Sequence, residues 1–180
     1  MKRVVVVGAG QAGFSVVSKL RTLGFDGELI LIGEETDPPY QRPPLSKAYL
    51  LGEMERERLY VRPESYYAEN GIDLRLRVRV ESIDPAAKVL STSDGTLPYD
   101  KLVLTTGSSA RRLPAAIGGN LSGVFTVRTL ADIDAFENLV VKGQSALVVG
   151  GGYIGLEAAA VCRKNTWTCR SNTTPCGRPA

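Results

Sequence analysis

Val4-Val5-Val6-Val7-Gly8-Ala9-Gly10-Gln11-Ala12-Gly13 decides the fold. Four consecutive β-branched residues suit a central parallel strand buried on both faces, and a glycine pattern follows at once. Gly8 permits the tight bend, Gly10 lets the backbone approach a pyrophosphate, and Gly13 lets helix and strand pack closely. The helix opened by this turn supplies the positive end of a dipole. It carries Val16, Val17, Leu20 and Leu23 on one face and stops at Gly24. Asp26-Gly27 turns the chain into a second buried strand, Leu29 to Ile32, which completes a βαβ unit. Glu34 ends that strand 21 residues after Gly13, where a carboxylate can accept hydrogen bonds from ribose hydroxyls, and Glu35 is the neighbouring candidate.

A second turn, Gly150-Gly151-Gly152-Tyr153-Ile154-Gly155, lies 142 residues further on and follows the apolar run Ala146 to Val149, read as a buried strand. Two such turns imply two nucleotides and electron passage between them. An acid at the end of a following strand, roughly 20 residues on, would mark NAD preference. That position falls in Asn172 to Ala180, which has no strand pattern and no acid, so the second cofactor is not specified.

Between the turns, Pro38-Pro39 and Pro43-Pro44 bracket Tyr40-Gln41-Arg42, and Pro44 can start a short helix through Leu50. A further helix is predicted from Pro63 to Asn70, ending at Gly71. From Ile72 to Val80 the pattern alternates strictly, with Arg75, Arg77 and Arg79 on the polar face. These arginines fit a solvated strand face better than a phosphate site. Lys88 to Ser91, the Asp94-Gly95 turn and Tyr99 to Thr105 read as a β-meander returning to a buried strand. A second unit begins near Arg112. Its helix starts from a Thr129 cap with Asp132 three residues on, and Leu130, Ile133, Phe136 and Val140 form its apolar face.

With 43% hydrophobic and 23% charged residues in 180, the chain reads as globular. A net charge of +3 is too balanced for nucleic acid or a membrane surface, and no apolar run approaches a membrane span. Met1-Lys2-Arg3 is too short for a signal peptide, so the default expectation is cytoplasmic. Cys162, Cys169 and Cys176 form no CxxC pair and the chain has no histidine, so no metal site and no Ser–His or Cys–His hydrolase is expected.

The block Pro39-Tyr40-Gln41-Arg42-Pro43-Pro44-Leu45-Ser46-Lys47 resembles FAD-dependent ferredoxin reductases of the pyridine nucleotide-disulfide oxidoreductase superfamily. So do Tyr99-Asp100-Lys101-Leu102-Val103-Leu104-Thr105-Thr106-Gly107, with Thr105 at the family's alanine, and Gly150 to Glu157. The resemblance covers residues 3 to about 164. It implies an α/β fold: a Rossmann-like FAD-binding domain, a parallel sheet with β-meander, followed by the first part of a second Rossmann-like NAD(P)-binding domain. Gly8, Gly10, Gly13, Glu34, Glu35, Thr106 and Gly107 would hold FAD, with Arg42 on its pyrophosphate, Val80 at its adenine and Arg111 as a further flavin contact. Lys47 would stand beside the reactive edge of the isoalloxazine and pair with Glu157, these two being the catalytic candidates. Gly150, Gly152 and Gly155 would hold NAD(P)H, the electron donor. Related dithiol reductases carry a cysteine pair where this chain has Tyr40 to Lys47, so electrons are expected to leave singly, to a ferredoxin-type iron–sulfur protein. Its oxygenase would be a haem monooxygenase or a ring-hydroxylating enzyme.

Members of that family are much longer, so the chain is expected to be truncated, lacking the returning half of the FAD domain and weak or inactive alone. The implied domains are 1–111 for FAD, 112–164 for the start of the NAD(P) domain, and a 165–180 tail foreign to the family. Asn165 to Thr174 has no period and almost no aliphatic residues. A frameshift near Lys164 accounts for this, since Thr166-Trp167-Thr168-Cys169 read two bases along gives an apolar–Asp–apolar string. A genuine polar tail is the alternative.

Overall fold

The valine, leucine and isoleucine runs become parallel strands. The computed structural model describes residues 2–137, 145–164 and 168–172. In chain order the elements are β1 (Arg3–Val7), α1 (Gln11–Thr22), β2 (Glu28–Ile32), α2 (Ser65–Glu69), β3 (Ile72–Arg75), β4 (Val80–Asp84), β5 (Val89–Thr92), β6 (Gly95–Pro98), β7 (Lys101–Leu104), α3 (Leu130–Glu137), β8 (Ser145–Val149), α4 (Tyr153–Lys164) and β9 (Thr168–Asn172). They form two compact units: Met1–Gln41 with Glu57–Ser108, and Arg42–Arg56 with Ser109–Ala180.

The first unit is built on a parallel sheet of order β3-β2-β1-β7. Successive side chains of a strand face opposite ways, and here both faces are covered. Val4, Val6, Leu29, Leu31 and Ile72 pack with Val17 of α1 and Tyr67 of α2. Val5, Val7, Ile30 and Ile32 pack on the other face with Val78, Leu90 and Leu97. Leu90 and Leu97 belong to the antiparallel sheet β4-β5-β6, the expected meander, which lies over that face. Each fully buried aliphatic side chain contributes about 1.5–3 kcal/mol before the entropy of ordering the chain is counted.

The strict alternation of Ile72 to Val80 predicts one strand, and the structure makes two. Arg77 sits between them at φ 61°, its N–H donating to Glu35 O at 3.1 Å while Val78 N–H donates to Gly33 O at 3.0 Å. The kink carries the chain off the parallel sheet and sends Val78 into the core on the meander side. Three smaller differences have local causes. Leu23, expected on the apolar face of α1, is 70% exposed because regular helix ends at Thr22 and Leu23 is its C-cap. The helix expected from Pro63 is shorter, Ser65–Glu69. The one expected from Pro44 is a 3-10 turn, Pro43–Ser46, continued by turns that bond Leu51 N–H to Lys47 O and Gly52 N–H to Tyr49 O.

In the second unit the Thr129 capping box forms as expected: Asp132 N–H donates to Thr129 Oγ1 at 3.1 Å and Thr129 N–H to Asp132 Oδ2 at 3.0 Å. Leu130 and Ile133 of α3 are fully buried, whereas Val140 lies outside the described residues. The segment Arg42–Arg56 is tied to this unit by side chains. Arg42 Nη1 donates to Arg128 O at 2.8 Å, Tyr49 Oη to Asp134 Oδ1 at 2.7 Å, and Arg56 pairs with Asp134 at 2.8 Å.

The strand expected to be buried at Ala146 to Val149 is half open, with Leu147 67% and Val149 58% exposed. Among the described residues β8 pairs with β9 alone, and Val148 faces Gly155 of α4, so Leu147 and Val149 point to the uncovered side. The tail, expected to hold no strand, supplies β9, which runs parallel to β8 from Ser145↔Thr168 to Val149↔Asn172. A ladder is made by backbone N–H and C=O groups, which this segment has whatever its side chains. The rest of the tail, 165–167 and 173–180, lies outside the described residues.

Candidate functional site

The first glycine turn connects the C-terminal end of β1 to α1. Gly8 has φ 111°, and its amide continues the ladder by donating to Ile32 O at 2.8 Å. A Cβ on Gly8 would lie 2.2 Å from Thr105 O, and one on Gly13 would lie 2.1 Å from Gly8 O, so both positions require glycine on steric grounds. Gly10 differs: a Cβ there would meet nothing within 4 Å. Gly10 is the N-cap of α1 and has no side chain to satisfy the first amides of the helix. Those N–H groups and the positive end of the helix dipole therefore face the open space before Gly10.

Parallel pairing sets Val7 beside Ile32 of β2 and Leu104 of β7. The residues that follow, Gly33 to Glu35 and Thr105 to Gly107, consequently flank the turn at one edge of the sheet. β1 has β2 on one side and β7 on the other, the switch point where open α/β sheets take ligands. The acids are not strand residues as expected, because β2 ends at Ile32. Glu34 is exposed in the following loop with Arg79 Nη1 3.9 Å from its Oε2. Glu35 accepts a hydrogen bond from Tyr40 Oη at 2.5 Å. Thr106 and Gly107 are exposed just beyond β7, with Gly107 at φ 67°. Val80 opens β4 and packs against the core beneath the meander.

The second turn repeats the first within its own unit. Gly150 has φ 120°, a Cβ on Gly155 would lie 2.4 Å from Gly150 O, and one on Gly152 would meet nothing within 4 Å. Leu156 N–H donates to Gly152 O at 3.1 Å, as Phe14 N–H donates to Gly10 O at 2.9 Å. Tyr153, at the head of α4, is 87% exposed.

Lys47 and Glu157, 110 positions apart in the chain, form an ion pair with Nζ 3.1 Å from Oε1. Sequence reasoning missed the third member. Ser46, only 5% exposed, donates its hydroxyl to Glu157 Oε2 at 2.5 Å. The Ser46 hydroxyl, then the Lys47 ammonium, hold the Glu157 carboxyl below its ordinary range against a smaller opposing effect of burial. The arrangement keeps an ionised carboxylate fixed beside a cation that is itself 55% exposed. The only sequence signal for Ser46 was its place next to Lys47. Arg42, half-buried, has one guanidinium N–H on Arg128 O, and Arg111 is exposed. The site residues thus gather into two sets, one in each unit. Among the described residues no group of three or more His, Cys, Asp or Glu could hold a metal ion.

The chain matches the family described as "Pyridine nucleotide-disulphide oxidoreductase" over residues 2–167. It is 46% identical over 161 residues to the 5,5'-dehydrodivanillate O-demethylase ferredoxin reductase subunit of Sphingobium sp., covering 89% of this chain and 39% of that protein. It is 43% identical over 162 residues to rhodocoxin reductase of Rhodococcus erythropolis, covering 89% and 38%. Among solved structures it is similar to the covalent putidaredoxin reductase–putidaredoxin complex, with a TM-score of 0.85, 34% identity, and coverage of 98% of this chain and 51% of that one. The chain therefore spans about two fifths of the length of the curated relatives it matches.

Proposed function

The chain belongs to the pyridine nucleotide-disulphide oxidoreductase family, and on that premise we propose that it is part of a flavoprotein reductase. Its first glycine turn holds FAD, its second receives NAD(P)H, and the electrons go to a ferredoxin-type iron–sulfur protein serving a haem monooxygenase or a ring-hydroxylating oxygenase. The observation that carries this reading is the open space before Gly10, at the head of α1 and between the ends of β2 and β7. A Cβ at Gly10 would meet nothing within 4 Å, so a dinucleotide pyrophosphate has room to approach the backbone at the head of α1.

FAD supplies the coupling of a two-electron donor to a one-electron acceptor. The chain's own residues bind and orient. Gly8 and Gly13 shape the turn, Gly10 and the first amides of α1 meet the pyrophosphate, Glu34 or Glu35 the ribose, Val80 the adenine, and Thr106, Gly107, Arg42 and Arg111 the remaining flavin contacts. Lys47 presents its ammonium to the isoalloxazine, and Glu157, anchored by Ser46, keeps that cation in place. Gly150, Gly152 and Gly155 receive the nicotinamide cofactor. The first cysteine in the chain is Cys162, so the Tyr40–Lys47 segment holds no dithiol to carry electrons away. The named relatives include reductases of ferredoxin and rhodocoxin, which supports an iron–sulfur protein as acceptor.

No helix among the described residues is long and apolar enough to cross a membrane, and a cytoplasmic setting belongs to the proposal. A second reading, a nucleotide-binding fragment without turnover, is favoured by the uncovered Leu147 and Val149. The division into an FAD domain at 1–111, an NAD(P) domain starting at 112–164 and a frameshifted tail at 165–180 belongs to the same proposal. The test is to titrate FAD into the purified chain, then add NADH without oxygen. Saturable binding followed by bleaching of the flavin band supports the reductase, and binding without bleaching supports the fragment. Failure to bind FAD at any concentration overturns both.

A further inference from the structure

We propose that Thr105 is the positioning residue of the first glycine turn: its hydroxyl clamps the Gly8 carbonyl and thereby sets the direction of the amide that follows. The inference rests on the reading of this turn as the FAD site.

Thr105 Oγ1 lies 2.9 Å from Gly8 O and 3.1 Å from Val7 O. A threonine hydroxyl has one hydrogen to donate. Val7 O already accepts the Thr105 backbone N–H at 2.8 Å, and Gly8 O is the nearer of the two acceptors, so we assign the hydroxyl hydrogen to Gly8 O. The same oxygen is the atom that a Cβ on Gly13 would strike, and that Cβ would also stand 3.1 Å from Thr105 Oγ1. The end of β1, the residue after β7 and the first turn of α1 therefore converge on one carbonyl.

A trans peptide is planar, with its C=O and N–H pointing opposite ways. Fixing Gly8 O toward Thr105 fixes the Ala9 N–H in the opposite direction, and with it the course of the chain into Gly10. Gly8 itself cannot hold this geometry, since a residue without Cβ is the least restrained at φ 111°. The second turn provides an internal comparison. Gly150 and Gly155 reproduce the same backbone, yet a Cβ on Gly150 would meet nothing within 4 Å, whereas one on Gly8 would strike Thr105 O. The first turn has the Thr105 backbone packed beside Gly8, where the second, among the described residues, has open space beside Gly150.

The test compares Thr105→Val, which keeps the shape and loses the hydroxyl, with Thr105→Ser, which keeps the hydroxyl, in the full chain. ADP and FAD are the titrants, and amide hydrogen exchange at Ala9 and Gly10 is followed without ligand. Thr105→Val should weaken ADP binding about tenfold, while Thr105→Ser should stay within about twofold of the parent. Binding unchanged in Thr105→Val overturns the proposal. So does equal weakening in both variants, because the methyl rather than the hydroxyl would then matter. If the parent binds neither titrant, the FAD reading fails and the clamp is judged by exchange alone. Faster exchange at Ala9 in Thr105→Val, restored in Thr105→Ser, supports it, and no change overturns it. If Thr105→Val does not fold, Thr105→Ala takes its place with the same outcomes.

Discussion

Alanine at Gly10 and alanine at Gly13 should have opposite consequences, although the two glycines stand three residues apart in one turn. A methyl at Gly13 would lie 2.1 Å from Gly8 O, where ordinary contact begins at 3.4 Å, a shortfall of about 1.3 Å. The obstacle is backbone, and Leu31 Cδ1 at 3.0 Å and Thr105 Oγ1 at 3.1 Å close off sideways escape. Helix α1 would have to lift from β1 and β2, so Gly13→Ala should cost about 3 kcal/mol, the upper end for an overpacked core. That is a large share of the roughly 5–15 kcal/mol that holds a domain together. At Gly10 the added methyl meets nothing within 4 Å and the backbone is extended, at φ −96° and ψ −169°. The loss there is that of a poorer N-cap residue, at most about 1 kcal/mol. The methyl would nevertheless occupy the cradle, so Gly10→Ala should weaken ADP and FAD binding by about tenfold or more. Urea unfolding followed by circular dichroism gives the first quantity and nucleotide titration the second. A Gly10→Ala chain that binds like the parent, or two variants equally unstable, would refute the reasoning.

Three further outcomes follow from single side chains. The Tyr67 hydroxyl is buried without a hydrogen-bond partner and its ionisation is pushed well up by burial, so Tyr67→Phe should stabilise the chain by about 1 kcal/mol, read as a higher Tm. A lower Tm would mean that the hydroxyl is satisfied. Glu157 has a folded pKa below its ordinary value of 4.5, so it stabilises the fold above that pH, and this contribution disappears as pH falls through the lowered value. Ser46→Ala should move the Glu157 titration, followed by carboxyl carbon NMR, upward toward the ordinary value, and an unmoved titration would remove Ser46 from the account. Arg77→Gly should be neutral to stabilising by up to about 1 kcal/mol despite glycine's extra unfolded-state entropy, because φ 61° strains any residue with a Cβ. Destabilisation well beyond that would show that the Arg77 side chain has a packing role.

Much of this was legible because it is local. Four valines in a row specify a strand covered on both faces, and Val4, Val6 and Val5, Val7 do divide between the two cores. The glycine spacing specifies a close helix–strand approach, and Thr129 with Asp132 specifies a cap. What stayed hidden depends on distant partners. Nothing near Arg42–Arg56 announces that Tyr49 and Arg56 share Asp134, 85 and 78 residues away, so the segment reads as a loop of the first unit and groups with the second. Ser46 reads as an ordinary loop serine until Glu157, 111 residues on, is placed against it. Arg77 was invisible for a different reason: alternation reports which way side chains face, and it survives a backbone kink that moves the chain to another sheet. The exposure of Leu147 and Val149 follows from what covers β8, which no residue within β8 can encode.

The central claim is that the amides after Gly8 form a nucleotide phosphate site. The most direct measurement is the set of backbone amide NMR shifts of the isotope-labelled chain during an ADP titration. The account requires saturable shifts centred on Ala9, Gly10, Gln11 and Ala12, lost in Gly10→Ala. Shifts absent from these four residues at saturating ADP, or unaltered by Gly10→Ala, would contradict it.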